Sequence, residues 1–138
     1  MRVIANRNLN GKNDRFGDNL LQIAKGNDVD IAVAFFTNHS FIEELLKSGS
    51  SIRLIIRLNI GTSPYALKLI LGKPNLSIRF FTSERFHPKL YIVKHDSAFA
   101  GSSNLTNNAF SVNLLLNARR VALRSLGQFP DPWVVCYK

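Results

Sequence analysis

Three short apolar runs, set apart by stretches of helical period, constrain this chain more than any other feature. "DIAVAFF" at residues 30–36 is almost continuously apolar, "SIRLIIRL" spans 51–58 and "LSIRFF" spans 76–81. Runs of this length, rich in β-branched and aromatic residues and bounded by polar positions, suit buried strands of a mostly parallel sheet. The stretches around them read as helices. Residues 15–25 turn Leu20, Leu21, Ile23 and Ala24 inward and stop at Gly26 and Asn27. Residues 40–48 follow Asn38 as a cap and close at Gly49. Residues 62–71 carry Pro64 in the first turn, where its missing N–H does no harm. The alternation predicts an α/β fold, a mixed, largely parallel sheet flanked by helices. Within the second run, a period of two sets Ile52, Leu54, Ile56 and Leu58 on one face and Arg53 and Arg57 on the other.

With 138 residues and neither an internal repeat nor a low-complexity linker, one domain over 1–138 is expected. Eighteen Lys and Arg against nine Asp and Glu give a formal charge of +9. On so small a domain that excess favours an anionic partner, nucleic acid ahead of an anionic membrane surface. The one cysteine, Cys136, allows no internal disulfide, and the amino terminus has no apolar core of signal-peptide length. The longest uncharged apolar run, "IAVAFF", is too short to cross a bilayer, so the expected setting is the cytoplasm, away from any membrane. Three scattered histidines and one cysteine have no metal-ligand spacing, and no metal or cofactor is expected.

After Arg85 the rhythm changes. "KLYIV" at 89–93 and "SAFAG" at 97–101 read as two strands joined by a turn at 94–96, and Asn104 or Thr106 then caps a helix from near Asn107. A further helix is expected within "NLLLNARRVALRSLG" at 113–127, with Leu114, Leu115, Ala118, Val121 and Ala122 on one face. Its opposite face carries Arg119, Arg120 and Arg124, which suit either solvent or DNA phosphates. The chemistry lies just upstream. His87 and Lys89 stand at i and i+2, a spacing that points both to one face of a strand. Ser102 and Asn104 repeat the spacing after Gly101. If the two strands adjoin, an imidazole, an ammonium, a hydroxyl and an amide converge and can hold the non-bridging oxygens of a phosphate. His87 is the one group of the four that ordinarily titrates near neutrality, so it is the candidate nucleophile or general acid/base. The plainer alternative is a strand, a turn and a helix cap.

The order H-x-K, eleven residues, G-S-x-N resembles the phospholipase D superfamily signature, H-x-K-x4-D-x6-G-S-x-N. The flanking "FHPKLYIV" and "AFAGSSNLTNNAF" are most similar to its nuclease-like branch, found in helicase-associated and restriction-enzyme domains. The resemblance implies a phospholipase D/nuclease-like fold and a metal-independent phosphodiesterase in which two such motifs face each other. One histidine attacks phosphorus to form a phosphohistidine, and the other protonates the leaving oxygen. Since this chain holds one motif, the resemblance implies a homodimer with the site on its two-fold axis, DNA as substrate, and a helicase or restriction system as a possible partner. It gives His87 the nucleophile or acid role, Lys89 and Asn104 the phosphate clamp, and Ser102 a supporting place. Two positions depart from the pattern. The signature acid is replaced by Lys94, with Asp96 two places later. Nuclease-like members also continue to an N-x-E whose glutamate orients the histidine, and here Asn113 is followed by Leu115 in that place. The alternative readings are therefore a weak or inactive DNA-binding module and, third, a lipid phosphodiesterase, for which the sequence offers no membrane-binding helix or apolar loop.

Overall fold

Each apolar run forms a strand, and burial on both faces explains why the first run alternates so little. The computed structural model describes residues 2–4, 7–9, 12–94, 97–106 and 115–117. In chain order the elements are β1 (Arg2–Ile4), β2 (Arg7–Leu9), β3 (Lys12–Asp14), α1 (Phe16–Ala24), β4 (Asp28–Val33) and α2 (His39–Lys47). There follow β5 (Ser51–Arg57), α3 (Pro64–Ile70), β6 (Leu76–Phe81), β7 (Lys89–Val93), β8 (Ser97–Gly101) and β9 (Leu115–Asn117). Among the described residues, seven strands form one mixed sheet in the order β1-β9-β8-β7-β4-β5-β6, while β2 and β3 pair antiparallel apart from it. β4, β5 and β6 are parallel, as the crossovers through α2 and α3 require. β7 lies against the other edge of β4 and runs antiparallel to it, with β8, β9 and β1 following outward, each antiparallel to the last.

One face of the sheet packs on the three helices. Val29, Ile31, Val33, Ile52, Leu54, Ile56 and Tyr91 are buried there with Phe16 and Leu20 of α1, Ile42 and Leu45 of α2 and Ile70 of α3. The opposite face carries a smaller cluster, Ala32, Ile55, Leu90, Ile92 and Ala98, against which Phe81, Phe86 and Ala100 pack. Asp30, 4% exposed, sits in register with Arg53, which donates from two guanidinium nitrogens to its two carboxylate oxygens. That bidentate geometry offsets the desolvation of a buried carboxylate.

The helix ends follow the sequence signals. Asn38 Oδ1 accepts from the Phe41 N–H at 3.1 Å, and Ser63 Oγ from the Ala66 N–H at 3.2 Å, with Pro64 in the first turn. Gly49, just past α2, has φ +89°, which glycine alone adopts without strain.

One expectation is corrected. Residues 115–117 belong not to a helix but to β9, which pairs with β8 through Phe99–Asn117, Ala100–Leu116 and Gly101–Leu115, and with β1 on its other side. The reason is tertiary. The outer edge of β8 presents a row of N–H and C=O groups, and pairing them outweighs the modest helical preference of a leucine run. The remainder of 113–127, including Arg119, Arg120 and Arg124, lies outside the described residues, as do His95, Asp96 and the helix expected near Asn107.

Candidate active site

The site is positioned by where the strands end. The parallel strands β4, β5 and β6 terminate on one edge of the sheet, and at that same edge β7 begins and β8 finishes, since Val33 pairs with Lys89 and Leu90 with Ala100. The chain leaves β4 toward β5 and β6, then returns on the other side as β7. At such a reversal of strand order the connecting loops diverge and leave a crevice at the carboxyl ends of the strands. The segment after β4 is stitched into it. The Ala34 N–H donates to Pro88 O at 3.1 Å and the Phe35 N–H to Asn104 Oδ1 at 3.1 Å. The N–H groups of Thr37 and Asn38 both donate to Leu105 O, at 3.0 and 3.1 Å. One backbone strip thus holds the His-Pro-Lys segment on one side and the Gly-Ser-Ser-Asn segment on the other.

Phe35 is the side chain around which the polar groups gather. The exposed His87 ring meets it edge to face, with centroids 5.6 Å apart at 81°. The guanidinium carbon of Arg57 lies 5.4 Å from the Phe35 centroid, within cation–π reach. Lys89 Nζ donates to the His87 carbonyl at 3.2 Å. Because Asn104 Oδ1 already accepts from Phe35, what its amide has left to offer is the Nδ2 donor, the polarity a phosphate oxygen needs. The buried Tyr91 hydroxyl donates to Ser103 O at 3.0 Å and anchors the Gly-Ser-Ser-Asn segment from below. Ser102 stands exposed just past β8. Gly61 lies close against the Phe35 ring, so that a Cβ there would force the ring to shift.

Of the residues expected from the sequence, His87 and Asn104 both meet Phe35, Lys89 meets the His87 carbonyl, and Ser102 lies on the same segment as Asn104. Two participants were not anticipated. The sequence marks Arg57 only as part of a strand face and Phe35 only as part of the apolar run 30–36. The period of two in "SIRLIIRL" marks Arg57 as pointing away from the helices, but only the sheet order puts it beside β4.

Every influence on the histidine acts in one direction. Desolvation by the protein around it holds the exposed His87 imidazole below its ordinary pKa, and the charges of Lys89 and Arg57 add to the effect. Lys89 is likewise lowered, first by burial and then by Arg57. Among the described residues no carboxylate enters either shift. Glu84 meets the site through its backbone, its carbonyl accepting from Arg57 Nη1 at 2.7 Å. Arg57 Nε is buried and has no hydrogen-bond partner among the described residues. The position where the sequence pattern calls for a glutamate, Leu115, lies in β9 in register with Gly101. Such a set, a neutral imidazole between two cations and an amide donor, is short of one anion and can bind and polarise a phosphate.

A family model described as cardiolipin synthase, PLD-like domain, matches residues 18–120. Among solved structures the fold is similar to NucT from Helicobacter pylori, with a TM-score of 0.66 and 17% identity over 81% of this chain and 83% of that one. It is similar also to Nuc from Salmonella typhimurium, described as a phospholipase D family member, with a TM-score of 0.65 and 19% identity over 84% of this chain and 85% of that one. TrmBL2, an archaeal chromatin protein described as having a novel mode of DNA binding, follows at 0.56 and 14% identity over 96% of this chain and 50% of that one. No curated protein sequence matches. Among the described residues no helix is long and apolar enough to cross a membrane, and no group of three His, Cys, Asp or Glu side chains is placed to hold a metal ion.

Proposed function

The chain belongs to the PLD-like domain family, and from that membership we propose that it is a phosphodiesterase that cleaves DNA, without a metal ion, at a site shared by two copies of the chain. An imidazole nitrogen of His87 attacks phosphorus, a P–N bond forms, and the P–O bond to the leaving oxygen breaks. The protonated His87 of the second copy gives its proton to that oxygen. Water then attacks the phosphohistidine, the second His87 takes a proton from it, and the free imidazole and a phosphate monoester result. Lys89 and the Asn104 amide hold the non-bridging oxygens, Arg57 adds charge behind them, and Ser102 supports the bound phosphate.

The observation that carries this reading is the gathering of His87, Arg57 and Asn104 about Phe35, with Lys89 against the His87 carbonyl. The net charge of +9 favours DNA over a neutral substrate. The same reading sets the protein in the cytoplasm beside a helicase or restriction system. A second reading, a DNA-binding module without catalysis, is favoured by Leu115 in place of the histidine-orienting glutamate. Incubation with supercoiled plasmid in EDTA separates the two. Cleavage that His87→Ala abolishes supports the phosphodiesterase, whereas inert protein that still retards DNA supports the module. Light scattering tests the shared site, because a strict monomer cannot present two facing histidines.

A further inference from the structure

Beside His87, on the side toward β6, lies an open cavity of about 470 Å³ lined by Phe81, Arg85, Phe86, His87 and Pro88. Building on the phosphodiesterase reading, we propose that this cavity is a nucleobase subsite, and that the protein therefore takes an unpaired strand of nucleic acid in preference to a duplex.

Two of the five lining residues, Phe81 and Phe86, are aromatic. The rings of Phe81 and Phe86 stack with centroids 4.5 Å apart and planes 6° from parallel. Both are half-buried and pack inward against the smaller core cluster, so the stack has a fixed base. The loop that carries Phe86 is itself pinned: Phe86 N–H donates to Ser83 O at 3.1 Å, Arg85 N–H to Ser83 Oγ at 3.3 Å, and Arg57 Nη1 holds Glu84 O. The volume lies within the range of small-molecule sites. Arg85 and His87 supply the polar rim, one a permanent cation and the other the group proposed to attack phosphorus.

The ligand chemistry follows from that combination. An aromatic wall with a guanidinium at its edge favours a planar ring joined to an anion, and the ring and the anion must be neighbours because the cavity and the catalytic imidazole share His87. A nucleotide unit fits this description, its base on the aromatic wall and its phosphate against His87, Lys89 and Asn104. In a duplex both faces of a base are covered by its neighbours, so it must first unpair and unstack to enter. An unpaired strand meets no such barrier. The excess of eighteen Lys and Arg over nine Asp and Glu supplies the long-range attraction for either form of nucleic acid, so strand preference has to come from the cavity.

The test is equilibrium binding by fluorescence anisotropy at one fixed salt concentration, with labelled oligothymidylate, an abasic strand of equal length, and a duplex of equal length. The wild-type protein is expected to bind oligothymidylate about tenfold more tightly than either the abasic strand or the duplex. Phe86→Leu, which keeps apolar volume but loses the flat ring, is expected to bring the three affinities together, and Phe86→Trp to keep them apart. Equal wild-type binding of the base-bearing and abasic strands overturns the proposal, as does tighter binding of the duplex. So does a Phe86→Leu protein that keeps the preference, that loses binding to phosphatidylglycerol vesicles in its place, or that changes only its oligomeric state. The wild-type comparison needs no variant to fold. Failure of the phosphodiesterase reading would show separately, as binding with the expected base preference but no cleavage in EDTA.

Discussion

A single methyl group at position 61 tests whether Phe35 supports the site. A Cβ added to Gly61 would lie 2.4 Å from Phe35 Cδ1, 2.9 Å from Cε1 and 3.0 Å from Cγ. Carbon atoms in ordinary contact stay about 3.5–4.0 Å apart, so the ring or the loop must withdraw by about 1 Å. The backbone of Phe35 is tied to Asn104, and the Gly61 N–H donates to Asn59 Oδ1 at 2.8 Å, so the ring is the part that yields. Overpacking of this kind costs roughly 1–3 kcal/mol. For a domain of this size that lowers the melting temperature by roughly 4–12 °C. The larger effect falls on function, because His87 and Arg57 both lean on that ring. A displacement of about 1 Å at the reacting groups is expected to reduce phosphodiester cleavage roughly a hundredfold. Gly61→Ala would be followed by thermal circular dichroism and by hydrolysis of a chromogenic bis-aryl phosphodiester. Adding Phe35→Leu makes room for the methyl group, so the double variant is expected to recover its melting temperature but not its activity. Wild-type melting and cleavage in Gly61→Ala would refute the argument, and full activity in the double variant would refute the role given to the ring.

Two further substitutions address groups proposed to face the phosphate. Arg57→Gln removes one of the causes that lower the His87 pKa. That pKa then rises toward its ordinary value, less imidazole is neutral in mild acid, and the acid limb of the kcat/KM–pH profile should move to higher pH, whereas a purely structural Arg57 would lower the plateau without moving the limb. Asn104→Asp keeps an oxygen for the Phe35 N–H but exchanges the Nδ2 donor for a second carboxylate oxygen. Its melting temperature is expected to stay near that of the wild type while cleavage falls roughly 10²–10³-fold. Activity within a few fold of wild type would reduce Asn104 to a backbone tie.

How far the sequence could be read depended on whether a signal was local. β6, β7 and β8 match the expected ranges because each is a short apolar run bounded by turn residues, and α2 and α3 begin where Asn38 and Pro64 announce them. The pairing of His87 with Lys89 is local too. The participation of Arg57 and Phe35 is not, because it depends on β4 lying between β5 and β7, an order that no single run encodes. β1, β2 and β3 have three residues each, too few for a period to register, although Asn10-Gly11 between β2 and β3 is a strong hairpin dipeptide. β9 misled for the opposite reason. Leu115 does fall at helical period with Leu114, Ala118, Val121 and Ala122, and only the edge of β8 makes 115–117 a strand.

Among the described residues no acid acts on His87, and that bears unequally on the two halves of the proposed reaction. Desolvation, Lys89 and Arg57 all favour the neutral imidazole, which is the form that attacks phosphorus. The same three influences disfavour the imidazolium that must protonate the leaving oxygen. In a homodimer both copies of His87 begin in this environment, so neither is predisposed to be the acid. The two roles can separate only when something breaks their equivalence. A bound phosphodiester does so, because its negative charge sits close to both rings and raises the pKa of whichever imidazole is not attacking. Where a glutamate stands beside the histidine, that charge belongs to the protein; with Leu115 at that place, and with no acid among the described residues acting on His87, the substrate supplies it. On this account the departure from the family pattern leaves the nucleophile intact and makes protonation of the leaving group the demanding step.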